Sequence, residues 1–192
     1  MTALSRPLSL LLCTALLAGC PPDRSGDDDD STVAAAECEG AEPLPEVCIE
    51  LDDAATFTLD EAAEGIEIPY TLRVLADVDG VRSLPQDAGG CGQPGPSGLI
   101  LFERLVGGSQ GYCECDVGLC PQPDPEPATL SAGEWPTVFQ WEGRNWSGPS
   151  DTGNPQGAPF PPGDYTLTVS AVGTVDGAEF TVSSALSLSL VE

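Results

Sequence analysis

The chain has 192 residues, with 31 acidic side chains against six arginines, no lysine, no histidine and a formal net charge of −25. That balance repels nucleic-acid phosphates and anionic lipid surfaces, so neither is an expected partner, and it reflects solubility or a saline habitat more than a specific ligand. Without histidine there is no His-based triad or dyad, and without lysine there is no lysine nucleophile.

Taken from the start, residues 1–7 carry one positive charge, Arg6, and a mostly apolar run extends from Leu8 to Leu17. A run of about ten residues suits a signal-peptide core and is too short to span a bilayer of roughly 30 Å. It ends in Leu17-Ala18-Gly19-Cys20, which resembles the lipobox of bacterial lipoproteins. The resemblance implies that residues 1–19 are removed, that Cys20 carries the lipid, and that the chain sits in the cell envelope. It would be held there at the outer membrane or at the periplasmic face of the inner one. Two or three acyl chains anchor stably where one does not, because each buried methylene adds roughly 0.8 kcal/mol. No other stretch approaches 18 apolar residues, so no membrane-spanning helix is expected.

Residues 20–44 read as an acidic, flexible linker. Pro21-Pro22, Ser25-Gly26, the Asp27–Asp30 run and Ala34–Ala36 show no apolar periodicity, and like charges in a row repel and extend the chain. Residues 45–192 read as one folded domain. Val47–Leu51, Thr56–Leu59, Ile66–Val78, Leu99–Leu105, Thr137–Trp141, Tyr165–Val172, Phe180–Val182 and Ala185–Val191 are β-like, most with period-two alternation. Ile66, Ile68, Tyr70, Leu72, Val74 and Ala76 share one face, and Pro69 on the other suggests an edge or a bulge. Val175-Asp176-Gly177-Ala178 reads as a hairpin turn. No helical stripe of useful length follows the signal peptide. The pattern predicts an all-β fold, an antiparallel sandwich of about seven to nine strands.

Two Gly- and Pro-rich insertions, Ser83–Ser97 and Gly107–Pro127, interrupt the strands. They contain Cys91, Cys113, Cys115 and Cys120; of the eight cysteines, Cys13 would leave with residues 1–19 and Cys20 would carry lipid, so these four with Cys38 and Cys48 make six. An even number in an exported chain reads as three disulfides that staple the loops. Fifteen pairings are open and the sequence alone does not choose among them; Cys38–Cys48, Cys91–Cys113 and Cys115–Cys120 is the working expectation. If their segment is extended, Cys113 and Cys115 point to the same face and bond elsewhere rather than to each other. Zinc is not expected, because Cys113-x-Cys115-x4-Cys120 lacks the paired knuckle spacing of zinc sites. Asp77-x-Asp79-Gly80 and Asp151-Thr152-Gly153-Asn154 resemble parts of calcium loops but lack the full pattern, and read as turns. No metal or other cofactor is expected. Asn145-Trp146-Ser147 is a chance glycosylation sequon in this setting. Trp135, Trp146 and Phe160 flank loops, where they could form a sugar- or peptide-binding face or serve in packing.

The segment Val138-Phe139-Gln140-Trp141-Glu142-Gly143-Arg144-Asn145, followed by Pro161-Pro162-Gly163-Asp164-Tyr165-Thr166, carries a second resemblance. It is similar to small bacterial Ig-like domains, those of flagellar hook-capping proteins and the intracellular proteinase inhibitor domain. The resemblance implies an Ig-like sandwich in which Trp141 plugs the core, Gly143 makes a tight turn and Tyr165 bonds back to the backbone as a corner tyrosine. It covers about 35 residues and supports the fold far more than an activity. The cysteines and the long segment between Gly143 and Pro161 depart from both families, so no inhibitory loop carries over.

The leading functional expectation is a non-enzymatic, membrane-anchored envelope lipoprotein that acts as a binding or structural module. Its partners would be membrane lipid through acylated Cys20 and an envelope protein or glycan. A protease inhibitor acting outside the cytoplasm is the alternative, and a hydrolase built on an acid pair is a third reading.

Overall fold

The computed structural model describes residues 44–82, 93–108, 112–116, 126–148 and 156–192, with backbone alone at 93–94, 112–116 and 147–148. The expected signal peptide, Cys20, Cys38, Cys91, Cys120 and Asp151–Asn154 lie outside these residues. Within them, alternation of apolar and polar side chains builds two sheets over a shared core. In β3 (Ile66–Val74) the predicted face is buried at Ile66, Ile68, Tyr70, Leu72 and Val74, while the residues between them are exposed or half-buried. A strand points successive side chains to opposite faces, so this pattern commits one whole face of β3 to the core.

β3 lies between β1 (Val47–Glu50) and β9 (Gly133–Trp141), and both pairings are antiparallel. β1 pairs only with Thr71–Val74, so Pro69 falls on a part of β3 that β1 does not reach. The missing N–H of proline therefore costs no bond on that side. The expected alternation does not run on to Val78. β3 stops at Val74, Leu75 and Ala76 are exposed, and the chain crosses to the other sheet, where Val78 opens β4 (Val78–Arg82).

The larger sheet runs β10–β7–β6–β11–β12–β2. Its members are β2 (Ala54–Thr58), β6 (Ile100–Gly107), β7 (Tyr112–Asp116), β10 (Trp146–Gly148), β11 (Gly163–Val175) and β12 (Ala178–Val191). β4 pairs with β11 and with β8 (Ala128–Leu130), and β5 (Gln93–Pro94) pairs with β6. Two pairings, β12–β2 and β10–β7, are parallel. The described residues thus hold twelve strand segments, where the sequence suggests seven to nine. Nine have four or more residues, while β5, β8 and β10 have two or three and are too short to show a period.

The β11–β12 hairpin supplies the central pair. Tyr165, Leu167, Val169 and Ala171 face Val182, Leu186, Leu188 and Leu190 in a core that also contains Leu72, Leu105, Phe139 and Trp141 from other strands. Leu167, Leu186 and Leu188 are fully buried, each contributing roughly 1.5–3 kcal/mol relative to exposure. The turn between the two strands has φ of 50° at Asp176 and 80° at Gly177, as a type I′ turn requires.

One short helix, α1 (Leu59–Glu64), has no counterpart in the sequence reading, which carries the second strand through to Leu59. Thr58 starts it with a capping box: the Glu61 N–H donates to Thr58 Oγ1 at 3.2 Å, and the Thr58 N–H donates to Glu61 Oε2 at 2.8 Å. Leu44, placed in the linker by sequence, is buried in the core, and its carbonyl accepts from the Val47 N–H at 3.2 Å. No helix among the described residues is long and apolar enough to cross a membrane.

Candidate functional site

One end of the domain is assembled from three segments, the first of them far in sequence from the other two. The first is α1 with the start of β3. The second is the end of β9 with the turn after it. The third is the strap 156–161. Gly143 makes the junction possible. It sits in the left-handed region at φ 69°, and a Cβ there would lie 2.9 Å from the Ala62 carbonyl oxygen and 3.0 Å from its carbon. Its turn therefore packs directly under α1, a closeness that only glycine allows.

The strap is sewn to that turn by backbone bonds. Phe160 N–H donates to Gly143 O at 2.8 Å, Asn145 N–H to Ala158 O at 2.9 Å, and Gly157 N–H to Asn145 O at 2.6 Å. An aromatic stack lies beneath. Trp141 meets Phe160 edge-on at 4.6 Å, and Phe160 meets Tyr165 at 4.8 Å. All three are buried. Their polar atoms are satisfied locally: Trp141 Nε1 donates to Arg144 O at 2.9 Å and Tyr165 OH to Pro161 O at 2.7 Å.

A groove of about 400 Å³ opens where Glu64, Gly65, Ile66 and Glu67 face Gln140, Trp141 and Glu142, with Trp146 and Gln156 completing its wall. The β3–β9 register fixes this meeting, pairing Ile66 with Trp141 and Glu67 with Gln140. Ile66 and Trp141 are buried, whereas the three carboxylates and two amides are exposed. Two carboxylates are oriented by amides: Gln140 Nε2 donates to Glu67 Oε1 at 3.0 Å and Gln156 Nε2 to Glu142 Oε2 at 3.5 Å. Trp146 is half-buried; its Nε1–H is shielded from solvent and finds no acceptor among the described residues. Among the described residues no basic side chain lines the groove. A smaller cleft of about 140 Å³ lies beside it, between Leu59, Ala62 and Ala63 of α1 and Gly143, Arg144, Pro159 and Phe160.

The three loop aromatics singled out by sequence do not form one face. Trp146 lines the groove, Phe160 enters the core, and Trp135 lies six residues from Trp141 along β9, its ring over Gly133. That separation is about 20 Å of extended chain. The two aspartates with calcium-like spacing tie down a loop instead. Asp77 Oδ1 accepts from the Ala132 N–H at 2.6 Å, and Asp79 Oδ1 accepts from Thr129 Oγ1 at 2.7 Å. Of the six cysteines expected to pair, Cys48 alone has a described side chain; it stands in β1, is half-buried and is disulfide-bonded. Cys113 and Cys115 are two apart on extended β7.

A partly buried carboxyl lies away from the groove. Glu103 of β6 receives the Tyr70 hydroxyl of β3 at 2.8 Å, a bond that joins the two sheets. Burial raises the Glu103 pKa, and the bond from Tyr70 opposes part of that rise. The Tyr70 pKa is also raised, first by burial and then by its carboxylate partner. At the helix start, the bonds from Thr58 hold the Glu61 carboxyl below its ordinary value. No protein-family model and no curated protein sequence matches the chain.

Proposed function

We propose that this chain is a lipid-anchored envelope protein whose Ig-like sandwich is a non-enzymatic binding module, with the groove beside α1 as its contact site. The observation that carries the tether is Leu17-Ala18-Gly19-Cys20 closing a short apolar run. The domain's first described core residue is Leu44, which leaves 23 residues between it and Cys20 as the leash. The Ig-like assignment is supported by strand order. β1, β3 and β9 correspond to A, B and E, and β6, β11 and β12 to C, F and G. It is supported again by Tyr165, which stands near the start of β11 and bonds to a carbonyl four residues upstream, where a corner tyrosine stands in that fold. A fourth strand on the β1–β3–β9 sheet, which Ig domains commonly have, is not present among the described residues.

The binding role is carried by the groove itself, whose volume falls in the roughly 300–1,000 Å³ range of small-ligand sites. Three disulfides, with Cys38 as the partner of Cys48, complete this reading of an exported domain. Expression of the full chain in a bacterial host with labelled palmitate tests the tether. Label should appear in the membrane fraction and resist an alkaline wash, and Cys20→Ala should abolish both. A wild-type chain that is soluble and unlabelled would sink the assignment.

A further inference from the structure

We draw no further inference here: the strongest candidate, the hydroxyl-lined outer face of the larger sheet, where Thr166, Thr168 and Ser170 of β11 lie beside Ser187, Ala185 and Ser183 of β12, is an unpartnered face of small residues, and nothing in the structure shows what covers it.

Discussion

The β11–β12 hairpin and the groove end beside α1 are held in different ways. The hairpin is local. Thirteen consecutive pairs run from Gly163 with Leu190 to Val175 with Ala178, and a two-residue turn closes them. In the groove end α1 lies some 75–100 residues from the other two pieces, and this end is held by few contacts: one glycine under one helix, one aromatic stack, one capping box. A hairpin can lose a pair and keep its register, because the others still fix it. The groove end has no such redundancy, so damage there should be concentrated at a few residues.

The largest effect should come from the aromatic stack. Trp141→Ala removes a buried ring, its contact with Phe160 and its bond to Arg144, and should cost about 3–5 kcal/mol in denaturant unfolding. Leu167→Ala in the hairpin should cost about 2–5 kcal/mol. A loss near zero for Trp141→Ala would show that the groove end is an appendage and break the comparison. The glycines sharpen it. Gly143→Ala introduces a Cβ 2.9 Å from Ala62 O at φ 69°, and should cost about 2–4 kcal/mol. Gly177→Ala has comparable φ but open space around it, and should cost only the left-handed penalty of about 1–2 kcal/mol. Equal losses, measured as unfolding midpoints, would mean that conformation rather than the close approach of α1 decides Gly143. Smaller again are Tyr165→Phe, which loses the bond to Pro161 O, and Thr58→Ala, which loses the helix cap. Each should cost about 1 kcal/mol, and hydrogen exchange at α1 should accelerate only in the second.

The same contrast explains what the sequence made legible. The hairpin is readable because period-two alternation and the Asp176-Gly177 turn are both properties of neighbours in the chain. Buried and exposed faces of β3 and β9 follow for the same reason. The groove is not readable. Its carboxylates and amides carry no periodic signal, and only the pairing of Glu67 with Gln140, 73 residues apart, brings them together. Gly143 is legible as a turn glycine, yet nothing in its neighbours shows that α1 lies on top of it. Thr58-x-x-Glu61 is a capping signature in plain view, but the β-like run before it extends into Leu59 and masks the change of structure. The count of strands differs from expectation because segments of two or three residues, such as β5 and β8, arise from tertiary placement and not from local preference.

The smallest expected effect lies between these regions, at the bond from Tyr70 to Glu103 that joins the two sheets. Burial holds the Glu103 pKa above its ordinary value in the folded state. Between that ordinary value, about 4.5, and the raised one, the native state keeps a proton that the unfolded chain has lost. Stability therefore falls as pH rises through this window, because the unfolded state binds fewer protons than the native one. With 31 acids in the chain the whole profile cannot be assigned to one group, so the informative quantity is the difference between wild type and Glu103→Gln. The glutamine keeps an oxygen for the Tyr70 hydroxyl and has no charge to bury. Its stability relative to wild type should rise with pH from about 4.5 upward and then level off. A difference that stays flat across that range would show that Glu103 ionises as freely in the fold as in the unfolded chain, and that the Tyr70 bond offsets its burial in full.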